Sequence, residues 1–172
     1  MTDNNDKIHI IVTGGTIDKV YCPYTQGNIF KETSCLPDFF KNRIDYGVME
    51  NFSQLMMIDS RDMSDIHRQK LLAKINEIET QRILITHGTD TMVETAKFIQ
   101  SNIENKNKTI VLTGSMIPMD GFYFSDAGFN LGFAFATTQQ SEAGIYICMN
   151  GQKFTPDKVI KNVKQSRFET VD

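Results

Sequence analysis

Four short apolar runs, Lys7–Val12 (KIHIIV), Arg82–Ile85 (RILI), Thr109–Thr113 (TIVLT) and Ala143–Met149 (AGIYICM), each stop abruptly at a turn of small or polar residues. Runs of this length, rich in β-branched side chains and lacking polar alternation, are the mark of strands buried on both faces. Between them the apolar period lengthens to that of helices. Ile66, Leu71, Leu72, Ile75 and Ile78 form a stripe over 64–79, with Ser64 as its cap. Val93, Ala96, Ile99 and Ile103 form a second, and Thr91 with Glu94 has the spacing of a capping box. Ser125 or Asp126 can cap a third helix reaching about Gln139. Strands alternating with helices in this way predict a three-layer α/β fold, Rossmann- or flavodoxin-like, with a mostly parallel sheet and helices on both faces. Val48–Ile58 reads as extended, a short helix is expected around Leu36–Phe40, and the tail Asp157–Asp172 is helix-permissive and basic at first, expected to run over the open face of the sheet.

In such a sheet the chemistry gathers in the crevice beyond the carboxyl ends of the strands, where side chains and helix-terminal N–H groups converge. The stretch Thr86-His87-Gly88-Thr89-Asp90-Thr91 crosses from strand to helix there and presents Thr89 and Asp90 side by side. Thr13-Gly14-Gly15-Thr16 ends the first run, and its glycines allow a sharp turn that presents Thr16. The residues that follow, with Tyr21, Pro23, Tyr24 and Gly27, have no helical period and read as a loop or loose hairpin, a candidate lid over Thr16. Asp59-Ser60-Arg61-Asp62 and Gly114-Ser115-Met116-Ile117-Pro118 are further strand exits. A threonine hydroxyl attacks only when a neighbouring base takes its proton, and an oxyanion needs N–H donors. The Gly14-Gly15 turn and the helix start after Thr89 are the expected donors.

Composition narrows the ligand class. A chain of 172 residues, 40% apolar and 23% charged, fits one domain, and no apolar run approaches the length of a membrane span. A net charge of -3 gives no broad attraction for nucleic acid, so a small molecule is the expected partner. Cys22, Cys35 and Cys148 are widely spaced and fit reduced thiols. His9 and His67 lack metal-spaced partners, and neither a metal nor a cofactor is expected; His87 is expected to support its turn. The polar start, Met1–Lys7, lacks the layout of a secretory signal, which makes the cytoplasm the expected compartment.

Four segments, in order, resemble the bacterial-type L-asparaginase family: TGGTI at Thr13–Ile17, THGTDTM at Thr86–Met92, LTGSMIP at Leu112–Pro118 and SDAGFNL at Ser125–Leu131. The similarity spans nearly the whole chain but only the amino-terminal domain of that family, so 1–172 is expected to be a single asparaginase-like domain without the carboxy-terminal one. The resemblance implies Thr16 as the nucleophile of an acyl-enzyme and Tyr24, on the loop, as its activating neighbour. It implies a second group of Thr89, Asp90 and Lys161, with Asp90 binding the substrate α-amino group and Ser60 its α-carboxylate. Gly15, Gly88 and Ser115 complete the expected substrate-binding set. Lys161 is preferred to Lys158 and Lys164 because it keeps a nearly constant offset from Met149-Asn150. Arg61 departs from the neutral residue common after the serine, and its guanidinium can grip a carboxylate bidentately. The implied reaction is hydrolysis of the side-chain amide of L-asparagine or a related small amide, releasing ammonia. The alternative is a non-catalytic amino-acid-binding or regulatory module that kept the pocket. Because the family's second domain lends groups to a neighbouring subunit's site, a homodimer or higher homo-oligomer is expected, with the helix of 125–139 as a candidate surface.

Overall fold

The computed structural model describes residues 7–41, 43 and 49–171. Its central sheet has six strands: β1 (Ile8–Gly14), β4 (Met49–Ile58), β5 (Arg82–Thr86), β6 (Thr109–Thr113), β7 (Gly144–Met149) and β8 (Gln152–Phe154). They lie in the order β4-β1-β5-β6-β7-β8, parallel except for β8. Asn150 and Gly151, both at positive φ (56° and 71°), make the tight turn that reverses the chain into β8. Two ribbons stand apart from the sheet, a hairpin of β2 (Lys19–Cys22) with β3 (Gly27–Phe30) and another of β9 (Val159–Asn162) with β10 (Arg167–Thr170). The helices are α1 (Leu36–Lys41), α2 (Asp65–Glu77), α3 (Met92–Asn102) and α4 (Ala127–Gln140).

The two-residue period of the strands sorts the core into two layers. Ile11, Ile83, Ile85, Ile110, Leu112 and Ile147 face one way, against Leu71 and Ile75 of α2 and Met92, Ala96 and Ile99 of α3. Ile10, Val12, Leu84, Val111 and Cys148 face the other way, against Leu36 and Phe40 of α1 and Leu131, Ala134 and Phe135 of α4. Helices therefore cover both faces, as the apolar runs predict. From β1 the chain moves outward to β4, then crosses back to β5 and continues the other way, so the order reverses between β1 and β5. In folds of this kind such a reversal marks where ligands bind, here at the carboxyl ends of β1 and β5.

Local expectations are corrected at three places. The tail is not a helix: it forms the β9–β10 hairpin between short 3-10 turns at Pro156–Lys158 and Val163–Gln165. Alternation explains the choice, since Val159 and Phe168 are buried against the α3 side of the core while Ile160 points outward. Each buried side chain is worth about 1.5–3 kcal/mol. Thr91 and Glu94 do not form a capping box; the Thr91 hydroxyl instead donates to the Ser60 carbonyl at 2.7 Å. Ile66 is exposed rather than part of the α2 stripe. The Ser64 cap does form, its backbone N–H donating to His67 Nδ1 at 3.1 Å. Val48, in the expected extended stretch, lies outside the described residues.

Candidate active site

The candidate site is assembled from the exits of β1, β4 and β5 and the β9–β10 hairpin. At the end of β1, Thr13 Oγ1 donates to the Thr86 carbonyl at 2.8 Å, tying the exits of β1 and β5 together. The chain then turns through Gly15, at φ 87° and ψ -178°, into a 3-10 turn of Thr16–Asp18. A Cβ on Gly15 would lie 2.4 Å from the backbone nitrogen of Gly88, so the two loops touch backbone to backbone. A Cβ on Gly88 would in turn meet Ser60 Oγ at 2.5 Å. Thr16, Ser60 and Thr89 thus sit beside three mutually packed turns, and only residues without side chains permit that closeness.

Thr89 is 6% exposed, and its hydroxyl accepts a hydrogen bond from Lys161 Nζ at 2.8 Å. Lys161 also forms an ion pair with the Asp90 carboxylate. Neither Lys158 nor Lys164 occupies that position in the hairpin: the strand period that buries Val159 turns Lys161 to the same side. Ser60 is buried; its Oγ accepts the backbone N–H of Asp90 at 3.2 Å. Arg61, 69% exposed, has Nε 3.7 Å from Asp90 Oδ2. Its fork is already occupied, because Nε and Nη2 donate to Asp59 Oδ1 and Oδ2 at 3.0 and 2.9 Å. The expected bidentate grip on a substrate carboxylate would therefore have to displace Asp59. Arg61, followed by Lys19, holds the Asp59 carboxyl well below the usual carboxylate range against its partial burial.

Other expected residues fall elsewhere. Tyr24 is at the tip of the β2–β3 hairpin, 95% exposed and facing solvent. The Ser115 hydroxyl donates to the Ile117 carbonyl at 2.6 Å and braces its own turn. The Gly15 N–H donates to the Ile58 carbonyl at 3.0 Å and the Asp90 N–H to Ser60, so neither is free to face an oxyanion. His87 supports its turn: Nδ1 donates to the Gly88 carbonyl at 2.7 Å and Nε2 lies 2.9 Å from Met63 Sδ. Burial pushes its pKa down to about 4, so the ring is neutral at pH 7. The SDAGFNL segment is a brace. The Asp126 carboxylate accepts the N–H groups of Met116 and Ile117, and Asn130 links the Gly114 carbonyl to the Asn150 N–H. Asp59 and Lys19 pair at 2.6 Å beside Arg61 with no sequence motif to mark them, although Asp59 occupies the cap position of the Ser60–Asp62 turn. Among the described residues no three His, Cys, Asp or Glu side chains gather in a way that could hold a metal ion, and no helix is long and apolar enough to cross a membrane.

Fold and site together define a doubly wound α/β domain that gathers hydroxyl, carboxylate and ammonium groups beyond the carboxyl ends of its parallel strands. The chain belongs to the asparaginase family: the family model described as "Asparaginase, N-terminal" matches residues 7–172. It is similar to L-asparaginase 2 of Escherichia coli (strain K12), 33% identical over 153 residues that make up 83% of this chain and 42% of that protein. It is also similar to the glutaminase-asparaginase of Acinetobacter glutaminasificans, 28% identical over 168 residues, 92% of this chain and 50% of that one. Among solved structures, the thermostable L-asparaginase from Thermococcus kodakarensis superposes with a TM-score of 0.82 at 25% identity, covering 96% of this chain and 51% of its own. A probable cytoplasmic L-asparaginase from Campylobacter jejuni gives 0.81 at 28%, covering 97% and 53%. The chain thus spans half or less of the length of these curated relatives.

Proposed function

We propose that the chain carries the acylating half-site of an asparaginase-type amidohydrolase acting on L-asparagine or a similar small amide. The observation that supports this best is the contact of the Gly15 and Gly88 backbones, which sets the turn of Thr16 against the turn that carries Thr89 and Asp90, the partners of Lys161. In this reading the Thr16 oxygen bonds to the carbon of the side-chain amide, the hydroxyl proton passes to the amide nitrogen, the C–N bond breaks and ammonia leaves, and water then hydrolyses the acyl-threonine to the free hydroxyl and a carboxylic acid. Asp90 takes the substrate α-ammonium. That cation competes with Lys161 for the carboxylate and leaves Lys161 to Thr89. Ser60 Oγ already accepts from Asp90, so its own proton is left to donate to the α-carboxylate. Tyr24 reaches the reacting hydroxyl only if the hairpin folds inward over the β1 exit. A homo-oligomer is part of the same proposal, supported by the exposed Tyr123, Phe124 and Phe129 at and before α4.

Ammonia release from L-asparagine tests the reading. Thr16→Ala should reduce it to background and Thr89→Val by about 100-fold or more, each with little change in the unfolding midpoint. No ammonia from any amino-acid amide at high protein concentration would overturn it. Aspartate binding without turnover would then make the chain an amino-acid-binding module.

A further inference from the structure

We propose that Asp59 is a positioning residue that couples the β2–β3 hairpin to the amino-acid end of the site, by sharing one carboxylate between Lys19 and Arg61. The proposal rests on the amidohydrolase reading for the identity of the pocket. A carboxylate offers about four lone-pair directions. Four donors fill those of Asp59: the N–H and Nε of Arg61 on Oδ1, both at 3.0 Å, and Arg61 Nη2 and Lys19 Nζ on Oδ2, at 2.9 and 2.6 Å. With no direction to spare, a change at one partner must be felt by the other.

Each partner leads somewhere specific. Lys19 is the first residue of the hairpin. Its backbone N–H donates to the Thr16 carbonyl, and its ammonium sits 4.9 Å from the ring centroid of Phe30, its cross-strand neighbour. Lys19 therefore joins the Thr16 turn, both hairpin strands and Asp59. Arg61 lies next to Ser60, its Nε 3.7 Å from an oxygen of Asp90, which pairs with Lys161. A continuous run of polar contacts connects the turn of Thr16 to Thr89 through Lys19, Asp59, Arg61, Asp90 and Lys161. A substrate α-carboxylate arriving at Ser60 draws on Arg61 and loosens its hold on Asp59. The carboxylate then belongs more fully to Lys19, and the base of the hairpin that carries Tyr24 is held more tightly. The coupling is reciprocal: a hairpin fixed at its base releases Arg61 more readily to the substrate.

The test uses the full chain, L-aspartate as probe, and Asp59→Asn, Lys19→Met, Arg61→Gln and the Lys19→Met/Arg61→Gln pair. Amide hydrogen exchange over 19–30 should slow on adding aspartate to the wild-type protein, and that response should vanish in Asp59→Asn. In the unliganded protein Asp59→Asn should speed exchange over 19–22, which requires no turnover. Calorimetric aspartate affinities of the two single variants and the pair should depart from additivity by a factor of about three or more. An aspartate response retained in Asp59→Asn, additive affinities, or a wild-type hairpin indifferent to aspartate would each overturn the coupling. Wild-type protein that shows the hairpin response yet releases no ammonia would overturn the amidohydrolase reading and leave the coupling standing.

Discussion

Gly15→Ala tests the backbone contact on which the site depends. At φ 87° and ψ -178° the residue occupies a region essentially reserved for glycine, and an alanine held there costs about 1–3 kcal/mol. The new methyl would also lie 2.4 Å from Gly88 N, 2.5 Å from Gly88 Cα and 2.8 Å from His87 C, all backbone atoms with no flexible end to give way. Forced shifts of this kind cost a further ~1–3 kcal/mol. The sum, roughly 2–6 kcal/mol, is a large share of the 5–15 kcal/mol typical of a domain and lowers Tm by about 10 °C. Gly132→Ala is the control: nothing lies within 4 Å of its Cβ position on α4, so stability should hold or rise by up to about 1 kcal/mol. Urea unfolding followed by circular dichroism gives both free energies, and ammonia release measured well below Tm separates folding from function. Since the methyl must part the β1 and β5 exits, Gly15→Ala should lose activity while still folded. A Gly15→Ala protein within about 1 kcal/mol of wild type and fully active would refute the contact and the crevice built on it.

Two further outcomes follow from the supports of the site. His87, with its pKa lowered to about 4 by burial, binds no proton in the folded state where the unfolded chain does, so its contribution is full above pH 6.5 and is lost as pH falls from there toward 4. Wild-type stability should drop by about 3 kcal/mol across that window from this residue, and a histidine NMR titration should find His87 neutral at pH 5.5. Asp59, whose pKa is lowered, loses its contribution only below its unfolded value of 3.8, whereas Asp18, raised by burial, acts with the opposite sign above 3.8, so a His87→Gln comparison isolates the histidine. Asn130→Ala strips partners from the Gly114 carbonyl, the Asp126 carboxylate and the Asn150 N–H in a buried spot, and should cost roughly 2–4 kcal/mol by urea unfolding.

The layered sheet was legible because β1, β5, β6 and β7 are buried on both faces, and burial on both faces writes itself as uninterrupted apolar runs. The turns at Gly14-Gly15 and Thr86–Thr91 were legible for the same reason: small polar residues directly after such a run have few other uses. The choice of Lys161 rests on its position in the family pattern, whereas the hairpin that brings it to Thr89 has no such pointer. The signal was present in the alternation of Val159, Ile160 and Lys161 and in the buried Phe168, but basic residues at near-helical spacing masked it. The capping box at Thr91 failed because a tertiary partner, the Ser60 carbonyl, outcompeted the local one. Lys19 and Asp59 lie 40 positions apart, and no local pattern encodes an ion pair over that separation.

A crystal of the protein soaked with L-aspartate probes the shared crevice most directly. One amino acid should be bound with its side-chain carboxylate between the hydroxyls of Thr16 and Thr89, its ammonium at Asp90 and its α-carboxylate at Ser60 and Arg61. Aspartate bound away from the Gly15–Gly88 contact, or a Thr16 hydroxyl turned away from the bound side chain, would contradict this arrangement.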